Sequence, residues 1–175
     1  MHKIILAVAL AAGLAGCGGE AGKAGQAGSS APAAISDWDA TQACAMLDPG
    51  KLSALTGLAF ATAKLTPMAP LSEQSAATSM CEYSGPGGAM ATILTRESPY
   101  DDAGPEEIEK ARTANGLMEP AKDVPGLGKA ALWREAPLAK SLQVFFDERR
   151  SVVVTLGGRE ATLDQASAVA RAVAP

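Results

Sequence analysis

The chain has 175 residues, 19 of them acidic and 15 basic, a formal net charge of −4, and a single histidine, His2. An acidic chain with scattered lysines and arginines lacks the basic face that nucleic acid requires, so no nucleic-acid partner is expected. One histidine at the second position offers no histidine pair or triad for metal or nucleophilic chemistry.

Lys3 is followed by an apolar run from Ile4 to Gly16 and then by Cys17. The run is shorter than the ~20 residues of a spanning helix. A basic start, a short apolar core and small residues at its end read as a secretory signal. Leu14-Ala15-Gly16-Cys17 resembles the lipobox of bacterial lipoproteins; the alternative is an ordinary signal peptide with a chance cysteine. The resemblance implies cleavage before Cys17, thioether-linked diacylglycerol on its sulfur, and usually a further acyl chain, such as palmitate, on its amine. Two or more chains anchor stably, at about 0.8 kcal/mol per buried CH₂. Loss of residues 1–16 as signal peptide removes His2, so the mature chain is expected to hold no histidine. Gly18, not Asp, follows the cysteine. By resemblance to lipoprotein sorting in diderm bacteria this allows passage to the periplasmic face of the outer membrane. In a monoderm cell the anchor would lie in the outer leaflet of the plasma membrane.

Residues 17–35, CGGEAGKAGQAGSSAPAAI, have no apolar periodicity and read as a flexible linker carrying the lipidated Cys17. The 18 residues after the cysteine span roughly 23 Å as a coil. Residues 36–175 are expected to form one α+β domain. With two Trp, two Tyr and three Phe in the chain, its core is expected from Leu, Val, Ile and Met, with Trp38, Phe60, Trp133, Phe145 and Phe146 as the large members.

Two short helices are predicted over 37–57. Thr41 is positioned to cap the first, with Ala43, Met46 and Leu47 inward. Asp48-Pro49 opens the second, Leu52 and Leu55 form its apolar side, and Gly57 stops it. Two prolines and many hydroxyls over 65–79 read as a surface loop. MCEYS and Ala89–Arg96 flank GPGG as a hairpin. Pro105, Glu106 and Glu107 open a helix whose Ile108 and Ala111 face inward and which Asn115-Gly116 ends. A Pro-Gly turn at 125–126 leads to a short strand through Leu132 and Trp133. Leu142–Phe146 and Val152–Leu156 form a second hairpin around Asp147–Arg150. Thr162 and Gln165 make a capping box for a last helix with Leu163, Ala166, Ala170 and Val173 inward. The order ααββαβββα suits an antiparallel sheet of about five strands with helices on one side.

Cys44 and Cys81 are the two cysteines left after lipidation. In an exported chain a disulfide is the natural reading. A zinc site would need two carboxylates besides the thiolates, and free buried thiols are the remaining alternative.

ACAMLDPGKLSALTG, then SMCEYSG, then VPGLGKAALW, paired strands and an Ala-rich helix are similar to uncharacterised, mainly actinobacterial lipoproteins. These carry Cys-x-Leu-Leu, a helix ending in Gly, Cys-x-Tyr or Cys-x-Trp, and Val-Pro-Gly-Leu-Gly-x-x-Ala. Here Met46 stands where Leu is common and Lys129 where an acidic residue is frequent. The resemblance covers nearly all of residues 41–173. It implies the Cys44–Cys81 bridge and the α+β fold, and it brings no catalytic residues.

Three stretches invite chemistry. YDDAGPEE (100–107) gathers four carboxylates but lacks the alternating spacing of a calcium loop. GLGK (126–129) lacks the third glycine of a dinucleotide loop and the Ser or Thr of a phosphate loop. Arg149 and Arg150 sit at a hairpin tip. No serine-hydrolase motif is present. No catalytic residue, metal or cofactor is therefore assigned. The expected function is a non-catalytic envelope lipoprotein, held on the membrane by Cys17, that binds an envelope protein or a cell-wall component. A carrier of a lipid or small hydrophobe is the alternative, and a carboxylate-dependent hydrolase the third reading.

Overall fold

Three stretches alternate, for most of their length, between buried and less buried side chains, and they lie next to one another in one antiparallel sheet: β2 (Ala77–Ser84), β3 (Met90–Glu97) and β7 (Arg150–Gly157). The structure is a computed structural model that describes residues 38–116 and 118–175; Cys17, the signal peptide and the linker lie outside the described residues. The remaining strands are β1 (Thr62–Ala69), β4 (Lys122–Asp123), β5 (Ala130–Glu135) and β6 (Ala139–Phe145), in the spatial order β1-β2-β3-β7-β6-β5-β4. The sheet thus has seven strands, not about five, and the element order is ααβββαββββα. The two strands beyond expectation are both edges. β1 lies where a loop was expected because Pro67 and an almost wholly exposed pattern hide it. Proline is tolerated there because an edge strand has one side on which no N–H is needed. β4 is only two residues long.

The inner face of the sheet shows why the interior strands form. Cys81 pairs with Ile93, Ile93 with Val154, Val154 with Leu142, and Leu142 with Trp133, so one apolar row crosses five strands. Three helices cover it: α1 (Ala43–Met46), α2 (Pro49–Thr56) and α4 (Leu163–Ala172). The fourth, α3 (Pro105–Thr113), packs on the opposite face, where Ile108 and Ala111 meet Leu132 and Phe145. Helices on one side only was therefore incorrect. Adjacent residues of one strand point to opposite faces, so Val144 enters the main core and Phe145 the core under α3.

The helix ends follow the sequence closely. Asp48 accepts from the Lys51 N–H at 2.9 Å with Pro49 in the first turn, and Gly57 ends α2 at φ 72°. Thr162 and Gln165 form the reciprocal capping box of α4. Thr41 does not cap α1; its hydroxyl donates to Asp39, and Gln42 holds the cap position without a side-chain bond. The methionines do not build the core either: Met46 and Met80 are half-buried, and Met68, Met90 and Met118 are exposed. Trp38 is half-buried, its indole donating to the Val173 carbonyl at 2.9 Å. The large core member missing from the sequence reading is Tyr83, buried with its hydroxyl donating to the Leu47 carbonyl at 2.7 Å. Among the described residues no helix is long and apolar enough to cross a membrane.

Cys44 and Cys81 are joined, with Cα atoms 4.9 Å apart at a sequence separation of 37. Beside the bridge, Ser79 and Thr95 donate to the Ala40 carbonyl at 2.7 and 2.8 Å, and the Ala43 N–H donates to Ser79 Oγ at 3.0 Å. These contacts fix the short α1 to the middle of the sheet. Replacing both cysteines by alanine should lower stability by about 2–5 kcal/mol, read from the urea midpoint. Burial, with the Asp48 carboxylate adding to it, pushes the Tyr83 phenol up to about 12. The folded value lies above the unfolded one, so this stabilisation is complete below pH 10 and is lost as the pH rises through 12. Denaturant midpoints between pH 10 and 12 should show a loss of about 2–3 kcal/mol that Tyr83→Phe does not show.

Candidate functional site

Three connections meet at one end of the sheet: Gly57–Ala61 after α2, the β2–β3 turn at Gly85–Ala89, and Gly157–Ala161 before α4. Between them lies an open cleft of about 360 Å³. The local sequence explains the convergence. The Ala61 N–H donates to the Ser84 carbonyl at 2.9 Å, and Ser53 Oγ accepts from the Phe60 N–H at 2.9 Å, which draws the first connection against the β2–β3 turn. Phe60 meets Tyr83 edge-on, ring centres 6.2 Å apart, and anchors it to the core. Gly85 permits this approach, because a Cβ there would stand 1.8 Å from the Ala59 carbonyl oxygen. The third connection turns at Gly158, whose φ of 97° favours glycine and whose N–H donates to the Leu138 carbonyl at 3.1 Å. Lys140 Nζ holds the Ala161 carbonyl at 2.7 Å, and Gln165 reaches back to the Thr56 carbonyl.

The cleft is built from backbone and small side chains, with Leu58 and Pro86 as its larger apolar members and Arg159 and Glu160 as its charges. Among the described residues neither Arg159 nor Glu160 enters an ion pair. Two exposed apolar side chains stand at the same end of the sheet, outside the lining of the cleft. Met90 is 62% exposed next to Gly157, and Leu138, 82% exposed, is held by the bond from Gly158. None of the lining residues is a serine, cysteine or histidine. The cleft offers backbone hydrogen bonds, one cation and one anion, with exposed apolar side chains at the same end of the sheet, a mixture suited to a binding surface.

The residues singled out in the sequence lie elsewhere. Cys17 is outside the described residues. Cys44 and Cys81 are brought together, beneath α1 and away from the cleft. The four carboxylates of YDDAGPEE do not converge: Asp102 pairs with Arg96, Asp101 accepts the Ala103 N–H, and Glu106 and Glu107 pair with Lys110. Among the described residues no three His, Cys, Asp or Glu side chains form a metal cluster. GLGK is a turn on β6: the Lys129 N–H donates to the Phe145 carbonyl at 2.7 Å, Leu127 is buried, and Lys129 Nζ reaches Glu148. Arg149 pairs with Glu97 and Arg150 with Asp147.

Three carboxyls are held below the usual range. For Glu135 the indole N–H of Trp133 is the main cause, with Lys122 adding to it. For Glu148 it is the residue's own backbone N–H and then Lys129. Partial burial acts upward on Asp147, but bonds from the Arg150 side chain and from the backbone of Arg149 and Arg150 outweigh it. A general acid requires the opposite direction.

No family model, no curated protein and no solved structure matches this chain. Sequence reading found GPGG as a hairpin turn, but Arg159, Glu160, Met90 and Leu138 carried no signal, since charges and single apolar residues at strand ends are common. Gly85→Ala should force the β2–β3 turn away from Ala59 and cost about 1–3 kcal/mol. The thermal midpoint and the amide chemical shifts of residues 57–61 and 85–89 are the measurements that check it.

Proposed function

We propose that this protein is a non-catalytic envelope lipoprotein, anchored through Cys17 to the periplasmic face of the outer membrane, whose domain holds a protein partner at the cleft beside Met90 and Leu138. The observation that carries the reading is the pairing of exposed apolar side chains with uncommitted charges at one end of the domain. Soluble surfaces seldom group such features without a partner. Trp38, where the chain enters the domain, lines a cleft with Glu97 and Arg150, at the opposite ends of β3 and β7 from Met90 and Gly157. Strands of 8 residues separate the two ends by about 23 Å. The cleft therefore lies at the end of the domain opposite Trp38.

A protein is favoured over a cell-wall glycan because the cleft has no aromatic ring on which a sugar could stack. The carrier reading is less well supported: Leu52, Ile93, Leu142, Val154, Leu156 and Val169 fill the space between sheet and helices. The hydrolase reading meets carboxylates that are engaged by Arg96, Lys110 and Lys129.

In-cell crosslinking followed by mass spectrometry tests the proposal. The native protein should capture one partner reproducibly, and Met90→Asp with Leu138→Asp should lower that capture at least about ten-fold while leaving the thermal midpoint unchanged. A Cys17→Ser form exported by an ordinary signal should lose membrane association. Capture that survives the double substitution sinks the cleft as the binding site.

A further inference from the structure

The end at which the chain enters the domain carries an apolar surface of its own. Arg149 Nε donates to the Ser98 carbonyl and the Ser98 N–H donates to the Arg149 carbonyl, both at 2.8 Å. Two residues on, the Tyr100 hydroxyl donates to the Glu73 carbonyl. Trp38, the β6–β7 turn, the segment after β3 and the β1–β2 loop therefore form one end of the molecule. On it stand Tyr100, 61% exposed, Met68, 59%, and Leu71, 44%. They are half of the six large apolar side chains exposed among the described residues, so the grouping is not a scatter of single residues.

We propose that this end rests on a lipid surface of zwitterionic headgroups, with Leu71, Tyr100 and Met68 seated at the boundary between headgroups and acyl chains. The inference rests on the reading of Cys17 as the lipid anchor. Twenty residues separate Cys17 from Trp38, a length that would reach about 25 Å as the flexible linker their composition suggests. A tether of that reach gives the surface a millimolar effective concentration, so a weak contact is populated once the anchor is in place. Tyr100 suits the boundary, with an apolar ring and a polar tip. Charge selects the headgroup. Glu73 is exposed without an ion pair, Asp101 is exposed, and Lys129 and Arg149 are already paired with Glu148 and Glu97. Asp39, Glu73 and Asp101, all exposed, outnumber Arg171, the exposed cation near Val173 that enters no ion pair among the described residues, so this end holds no positive excess to favour anionic lipid. The strands then stand on end, and the cleft beside Met90 and Leu138 points away from the bilayer.

Hydrogen–deuterium exchange on the lipidated full chain tests the contact, with phosphatidylcholine vesicles as the probe and flotation to report the anchor. Amides of residues 70–76 and 98–103 should exchange at least about three-fold more slowly on vesicles than in the Cys17→Ser form, while residues 85–89 and 157–161 stay unchanged. Adding anionic lipid should weaken this protection. Leu71→Asp with Tyr100→Ser should still float, with an unchanged thermal midpoint, but lose the protection. A floating protein whose two loops exchange as fast as in the Cys17→Ser form, or whose protection lies at 85–89, overturns the inference and leaves the anchor standing. Failure to float overturns the anchor, and the contact with it.

Discussion

The fastening of residues 38–47 to the centre of the sheet is the constraint on which the rest of the domain depends. α1 has four residues, far too few to persist by its own hydrogen bonds. It stays in place because Cys44 is bonded to Cys81, and because the buried hydroxyls of Ser79 and Thr95 both donate to the Ala40 carbonyl. Without that fastening the inner face of β2 and β3 loses its lid, and Tyr83 loses the Leu47 carbonyl that satisfies its hydroxyl. Covalent and polar attachment replace the apolar area that a longer helix would have supplied. On the chain-entropy account, closing a loop of this length is worth about 4 kcal/mol.

This fastening also gives the domain a direction. The same segment that carries the bridge is the one that leads back toward Cys17. Where that segment enters, the turns around Arg149, Ser98 and Glu73 are tied to one another. At the other end of the strands glycine-containing turns converge and border a cleft. Gly85 is the residue on which that second end turns, since any side chain there would meet the Ala59 carbonyl. Strands of 8 residues in β3 and β7 separate the two ends.

Edge and interior strands differed in legibility for a physical reason. β2, β3 and β7 have neighbours on both sides and a covered face, so their side chains alternate and the alternation is written in the residues. β1 has one neighbour and mostly exposed side chains, so Pro67 and the hydroxyls around it looked like a loop. β4 is fixed only by its pairing with Leu132 and Trp133, which no local pattern announces. The side on which α3 lies was hidden as well. Ile108 and Ala111 mark an inward face in the sequence, but not which face of the sheet receives it.

The sequence by itself determined the helix starts at Pro49, Pro105 and Leu163, because capping is settled within a few residues of each end. It also determined the interior hairpins, and it favoured the Cys44–Cys81 bridge that the structure shows. Only the tertiary structure decided that Tyr83, and no methionine, is a main core member. It alone brought Arg159 and Glu160, Met90 and Leu138 to one end of the sheet. They come from separate parts of the chain, and which side chains share an end depends on strand order, which distant pairing sets and local composition does not.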